Sequence, residues 1–215
     1  MMIQLALLLA LTQDAEKAQT LHAEMCAALL EARTLQFDYK CEGRSKGIVA
    51  KSAQGRILME APGSFYQKFE VTTAEKTESL VTISDGVQIR YGDAPPKPAV
   101  ATMLKNFKGI VGIMGLSTHF FNKAVRGLRP EMKNFSLGKK ESVNGMEAQV
   151  VSYAIDFGKP ELTVTTTVWI DLQSKLPLKR ATFLKAGSDD AELTDAFTGM
   201  KSGEKIDPKW FVIPK

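Results

Sequence analysis

Histidine and cysteine are both scarce: the 215-residue chain has two of each, His22, His119, Cys26 and Cys41. A metal centre or a nucleophile–histidine pair needs several such groups drawn together, and nothing in the sequence clusters these. Cys26 and Cys41, with His22 as their only neighbouring histidine, do not make a zinc site. The chain also lacks Gly-x-Ser-x-Gly, a phosphate-binding loop and a dinucleotide fingerprint. Gly109, Gly112 and Gly115 recur every third residue in helical surroundings, with no strand before them. Asp189-Asp190, preceded by Gly187-Ser188, reads as a solvated hairpin tip rather than half of a catalytic acid pair. These absences point away from an enzyme, and no cofactor is expected. Long basic tracts are missing too: the net charge of +4 is spread thinly, and Lys139-Lys140 and Lys179-Arg180 are too short for a nucleic-acid track.

Apolar residues make up 44% and charged residues 24%, which supports one folded domain with a substantial core. Leu5–Leu11 is an apolar run of signal-peptide length, too short to span a bilayer. Ala10 and Thr12 supply the small residues before a cleavage point, although no Lys or Arg precedes the run. The expectation is a signal peptide over 1–12 and one domain over 13–215; the alternative is a buried helix starting at Met1. In an exported chain Cys26 and Cys41 either form a disulfide or stay as two free buried thiols.

Ala18, Leu21, Met25, Ala28, Leu29 and Ala32 form one stripe at helical spacing between Asp14 and Arg33. His22 on that helix is expected at the surface or its boundary. From Leu35 the period changes to two. Phe37, Tyr39 and Cys41 share a face, as do Phe65, Phe69 and Val71 with Gln67 as the exception, and Val81 with Ile83. Asp85-Gly86 and Asn144-Gly145 are hairpin signals. After Pro95-Pro96-Lys97-Pro98, the segment 99–125 turns helical and apolar, with its glycines arguing against one rigid helix. Period-two strands resume at about Asn134 and run to an aromatic tail around Trp210-Phe211. The class is α+β, mainly β: one curved antiparallel sheet with an N-terminal helix and a central helical cover. A twisted sheet of this size curls, and its concave face suits an apolar guest beneath an adaptable Met- and Phe-rich cover. The other reading is that the cover simply completes the core.

Four stretches carry a family resemblance: LQFDYKCEG after the first helix, ILMEAPGSFYQKFEV, VTISDGVQIRYGD, and VWIDLQSKLPLKRATF with the tail KIDPKWFVIP. Together they resemble the LolA/LolB-like lipoprotein carriers, the outer membrane lipoprotein-sorting proteins. That resemblance implies a half-open β-barrel whose lidded concave face holds lipid or the acyl chains of lipoproteins without catalysis. It implies an exported, periplasmic monomer that envelope membrane proteins load or unload. A sensor of envelope stress or lipoproteins, or a protein-interaction module, is the alternative on the same fold. The family's functional arginine just before the proline of the second stretch is replaced by Ala61, beside Glu60. This points toward another amphiphile or a sensing role.

On that fold the alternation nominates a cavity lining. Its strand residues are Phe37, Tyr39, Ile57, Met59, Phe65, Phe69, Val81, Ile83, Val151, Tyr153, Ile155, Val164 and Val168. Its cover residues are Met103, Phe107, Met114 and Phe120. Ordinary core packing explains the same residues, and a register slip of one inverts any strand. Asp171 and Arg180 read as the polar face of the hairpin VWIDLQSKLPLKRATF.

Overall fold

The computed structural model describes residues 2–116, 130–187 and 189–214. Helix α1 (Met2–Glu31) leads into a meander of six strands: β1 (Thr34–Ser45), β2 (Ile48–Glu60), β3 (Ser64–Thr73), β4 (Thr77–Asp85), β5 (Gln88–Tyr91) and β6 (Lys97–Pro98). Helix α2 (Met103–Ile113) follows. A second meander then runs through β7 (Glu131–Val143), β8 (Met146–Asp156), β9 (Leu162–Asp171), β10 (Pro177–Ala186) and β11 (Asp189–Ser202), and a 3-10 turn, Pro208–Phe211, ends it.

All the strands join one antiparallel sheet in the order β6-β5-β4-β3-β2-β1-β11-β10-β9-β8-β7. The first meander therefore runs outward from β1 and the second runs back inward to β11. Pairing of β1 with β11 welds the halves, while β6 and β7 are the two ends of the open, curved sheet. This order explains the apolar helical insertion. The chain leaves one sheet edge at β6 and resumes at the opposite edge with β7, so the connection has to cross the sheet, and α2 lies on that path. α1 packs against β7, β8 and α2.

Turn chemistry holds the strands in register. Asn144 and Gly145 adopt φ 52° and 81°, joining Val143 to Met146 in a two-residue hairpin as the sequence suggests. Lys46 and Gly47, at φ 50° and 77°, do the same between Ser45 and Ile48. The Asp85 carboxylate accepts hydrogen bonds from the backbone N–H groups of Val87 and Gln88, so that turn is centred one residue later than Asp85-Gly86 suggests. Asp189 and Asp190 form the closing pairs of the β10–β11 hairpin, opposite Ala186 and Lys185, at the expected tip.

Alternation gives the sheet one apolar face. Across its middle, one row of residues runs Val71, Ala53, Cys41, Asp195, Arg180, Val168, Val151 and Leu137, from β3 to β7. The adjacent row places Gly55 between Tyr39 and Phe69, whose rings lie 5.4 Å apart. A Cβ on Gly55 would sit 1.8 Å from the Lys68 carbonyl oxygen and 2.5 Å from Phe69 Cδ1. Gly55→Ala is therefore expected to destabilise the fold by about 1–3 kcal/mol through overpacking, measured by urea denaturation. An unchanged midpoint and slope would contradict this packing.

Candidate functional site

The sheet's inward face, α1 and α2 enclose one continuous apolar cluster. α1 contributes Ala18, Leu21, Met25 and Leu29, the expected stripe, with Ala28 and Ala32 at the margin. α2 is amphipathic, burying Leu104 and Val111 while Met103, Phe107 and Ile110 lie half-buried at the rim. Phe107 meets Phe65 of β3 edge-on, with ring centroids 5.2 Å apart.

Of the candidate lining residues, Phe37, Tyr39, Ile57, Met59, Phe65 and Phe69 of the first meander are buried in this cluster. So are Val151, Tyr153, Ile155, Val164 and Val168 of the second, with Met114 just beyond α2. Met103 and Phe107 pack at its edge. Phe120 and His119 lie outside the described residues. Val81 and Ile83 need correction. They pair with Lys68 and Tyr66, whereas inward-facing Phe65, Gln67 and Phe69 pair with Ser84, Thr82 and Leu80. Val81 and Ile83 thus share the opposite face, where Leu58, Ile206, Phe211, Tyr66 and Trp210 form a second small cluster. That same face carries an open groove of about 720 Å3 whose walls include Asp38, Arg56, Lys68 and Glu70.

The sequence reading missed the polar knot inside the apolar cluster. Arg180 is fully buried, not on the hairpin's polar face, because it shares its side of β10 with Thr182 and Leu184. Its Nη2 donates to the Gly112 carbonyl at 2.8 Å, and the Tyr153 hydroxyl donates to the Ile113 carbonyl at 2.8 Å. These are two of the last carbonyls of α2, which have no partner within the helix. A cation at the negative end of the helix dipole adds to the hydrogen bond. Arg180 Nε and Nη1 have no hydrogen-bond partner among the described residues. Asp195, equally buried, stands across from Arg180 in the ladder and accepts a hydrogen bond from the Tyr39 hydroxyl.

Two glycines let α2 settle onto this knot. A Cβ on Gly112 would lie 3.1 Å from Cys26 Sγ, and one on Gly115 only 2.3 Å from Asp195 Oδ2. Gly115, at φ 74°, is the left-handed residue that ends the helix. At the other end of the contact, Lys108 of α2 donates to the Ala32 carbonyl just beyond α1.

His22 is buried rather than at the surface, with its ring 4.6 Å from that of Tyr153 and 5.5 Å from that of Phe135. Cys26 and Cys41 are both free, which corrects the disulfide option. Cys26 Sγ lies 3.8 Å from His22 Nδ1 beneath α2, whereas Cys41 is held in the β1 row between Ala53 and Asp195. Burial pushes the Cys41 thiol up to about 12 and raises that of Cys26, so both stay protonated and unreactive at neutral pH. Among the described residues no three His, Cys, Asp or Glu side chains are placed to hold a metal ion. No described helix is long and apolar enough to cross a membrane. The arrangement offers apolar enclosure and backbone anchoring of a helix.

No family model and no curated protein matches the chain. Among solved structures it resembles LprF from Mycobacterium bovis at 10% identity, covering 90% of this chain and 97% of that one, with a TM-score of 0.53. At 10% identity this likeness shows a shared fold and nothing finer. The element order is the one the four sequence stretches suggested: helix, meander, crossing helix, meander, aromatic tail. The fold is that of LprF. Weaker likenesses extend to the lipoprotein LppX of Mycobacterium tuberculosis (16% identity, 88% of this chain and 98% of that one, TM-score 0.46). A LolA superfamily protein of Nitrosomonas europaea also matches (10% identity, 91% and 97%, TM-score 0.38). In this chain the position before the proline, Ala61, is an exposed turn residue whose N–H donates to the Arg33 carbonyl at 2.8 Å.

The burial of His22 has a consequence for stability. Desolvation first, and the charge of Arg180 second, lower its imidazole from 6.5 to about 4. Between those values the unfolded chain takes up a proton that the folded chain refuses. The contribution of His22 is therefore intact above pH 6.5 and declines as the pH falls toward 4, by about 3 kcal/mol in all. In His22→Leu that part of the pH dependence disappears. Urea denaturation across this range tests it, and an identical slope in the variant would refute it.

Proposed function

We infer that this protein is an exported, non-catalytic carrier that binds lipid, or the acyl chains of lipoproteins, on the inward face of its sheet. The observation that carries the reading is the continuity of one apolar face beneath a helix held to it mainly by side chains. Arg180 and Tyr153 grip the end of α2, Lys108 ties it to α1, and the remaining contacts are apolar and adaptable. Met103, Phe107 and Met114 can re-pack around chains of different shape. α2 acts as the lid, and a guest takes its place against Phe65, Val151 and their neighbours. Membrane proteins of the envelope load and unload this monomer.

The lid is directly testable. A cysteine at position 112 would place its Cβ 3.1 Å from Cys26 Sγ, close to disulfide geometry. The oxidised Gly112→Cys protein ties α2 to α1 and is expected to lose at least about tenfold in affinity for a fluorescent acyl probe, and to recover it on reduction. Protein purified from cells is also expected to release lipid on extraction. Absence of lipid together with no probe displacement by fatty acids would overturn the carrier reading, and unchanged probe uptake in the locked form would overturn α2 as the lid.

Export belongs to the same reading, with the signal peptide over residues 1–12 and cleavage after Thr12. The mature chain is expected to begin at Gln13. N-terminal sequencing of protein recovered from cells checks this, and a retained Met1 would contradict it.

A further inference from the structure

Three buried side-chain nitrogens have no hydrogen-bond partner among the described residues, and they lie together beside the end of α2. They are Nε and Nη1 of Arg180 and Nε2 of His22, on side chains 0% and 2% exposed. The two residues are close neighbours: the guanidinium and the Gly112 carbonyl to which it donates both act on the His22 imidazole. Their surroundings are apolar, with Val168 and Val151 next to Arg180 in the sheet row and Met25 on the helix of His22, all fully buried. Buried donors in native proteins are almost always met, so three in one place ask for a partner that arrives from outside.

The seated helix shows the form of that partner. Arg180 Nη2 donates to the Gly112 carbonyl and the Tyr153 hydroxyl donates to the Ile113 carbonyl, each at 2.8 Å. Two oxygens at the negative end of a helix dipole thus fill a place built from two donors and a permanent cation. They fill it only in part, because they carry partial charges and leave Nε and Nη1 unmet. The tautomer of His22 in which Nδ1 accepts from the Cys26 thiol, 3.8 Å away, puts a further donor on Nε2. Asp195 stands across the ladder and holds the Tyr39 hydroxyl, but it does not hydrogen-bond Nε or Nη1. A carboxylate or phosphate brings several oxygens and a full charge, and its bonds to a guanidinium are of the strong, charge-assisted kind. Water meets the same hydrogens without using Val168, Val151 and Met25, whereas an anionic amphiphile uses both.

We propose that Arg180, Tyr153 and His22 receive the anionic head of the cargo, a carboxylate or a phosphate, in the place that the Gly112 and Ile113 carbonyls hold while α2 is seated. The proposal rests on the carrier reading, with α2 as its lid, and names the class of cargo. The acyl chain then runs from Arg180 past Val168 and Val151 toward β7. Head and helix compete for the same donors, so binding the head and lifting α2 are one equilibrium.

Ligands with one chain and different heads test the proposal. Decanoate, decyl phosphate and decanol are each used to displace the neutral probe N-phenylnaphthylamine from the full chain at about pH 8, where both acids are ionised. The parent is expected to bind at least one of the two anions about tenfold or more tighter than decanol, and the better anion assigns the head as carboxylate or phosphate. That preference should fall about threefold in Tyr153→Phe and disappear in Arg180→Met, with Arg180→Lys between Arg180→Met and the parent. The ratio between ligands is the readout, because a purely structural role for these side chains would move all three affinities alike. Tyr153→Phe and the parent's own ratio carry the test if Arg180→Met does not fold. Equal affinity of the parent for the three ligands, or unchanged ratios in the folded variants, overturns the proposal and leaves the carrier standing. Displacement by acetate or inorganic phosphate as strong as by their decyl counterparts would assign a bare ion site and also overturn it. Displacement by none of the three decyl compounds, decanol included, overturns the carrier reading and this proposal with it.

Discussion

Arg180 is the constraint around which the core of this protein is arranged. A guanidinium with no access to water needs acceptors and a counter-charge, and leaving it without them would cost several kcal/mol. The structure supplies the Gly112 carbonyl directly and sets the Asp195 carboxylate across the ladder. Asp195 in turn takes the Tyr39 hydroxyl, and Tyr153 takes the next carbonyl of α2. The partners come from different elements, so β1, β8, β10, β11 and α2 are positioned against one another by a few polar groups. The apolar contacts around them are non-directional and could be satisfied in several registers. The polar ones leave far fewer.

The same knot explains why the insertion between the meanders carries glycine where it does. α2 has to lie close enough to the sheet for its final carbonyls to reach Arg180 and Tyr153. Gly112 removes a side chain that would press on Cys26, and Gly115 leaves room for the Asp195 carboxylate. Gly109 meets nothing within 4 Å of a built Cβ, so only two of the three evenly spaced glycines are explained by close approach. The repeat that resembles a nucleotide motif is the footprint of a helix laid tightly on a curved sheet.

Much of the architecture was legible because alternation and turn residues are local signals. Phe37, Tyr39 and Cys41 reveal their common face without knowledge of the neighbours, and Asn144-Gly145 announces its hairpin. β4 fails the same test for a physical reason. Its apolar residues Val81 and Ile83 alternate cleanly, yet pairing with Lys68 and Tyr66 turns them outward, and polar Ser84 and Thr82 face in. Ser84 is satisfied there by donating to the Gly63 carbonyl at 3.0 Å. Gln67, the apparent exception between Phe65 and Phe69, was the available clue that this end of the inward face is partly polar. Arg180 was hidden by the charge of its neighbour Lys179, which lies outward over Trp169, 4.6 Å from the ring centroid. Thr182 and Leu184 on the same side of β10 are the signal that places Arg180 inside.

On the carrier reading the knot also sets the terms on which cargo exchanges. With α2 seated, the inward face is already buried, so a guest gains only what it offers beyond the contacts of the helix it displaces. A ligand shifts such a balance by no more than its differential affinity for the two states. Lifting α2 also frees the Arg180 guanidinium, whose Nε and Nη1 have no partner among the described residues even in the closed form. A wholly apolar guest would leave that charge facing hydrocarbon, whereas water or a polar head admitted with the chain can meet its donors. On that reading the buried arginine would favour amphiphiles over simple hydrocarbons, from the concave face itself.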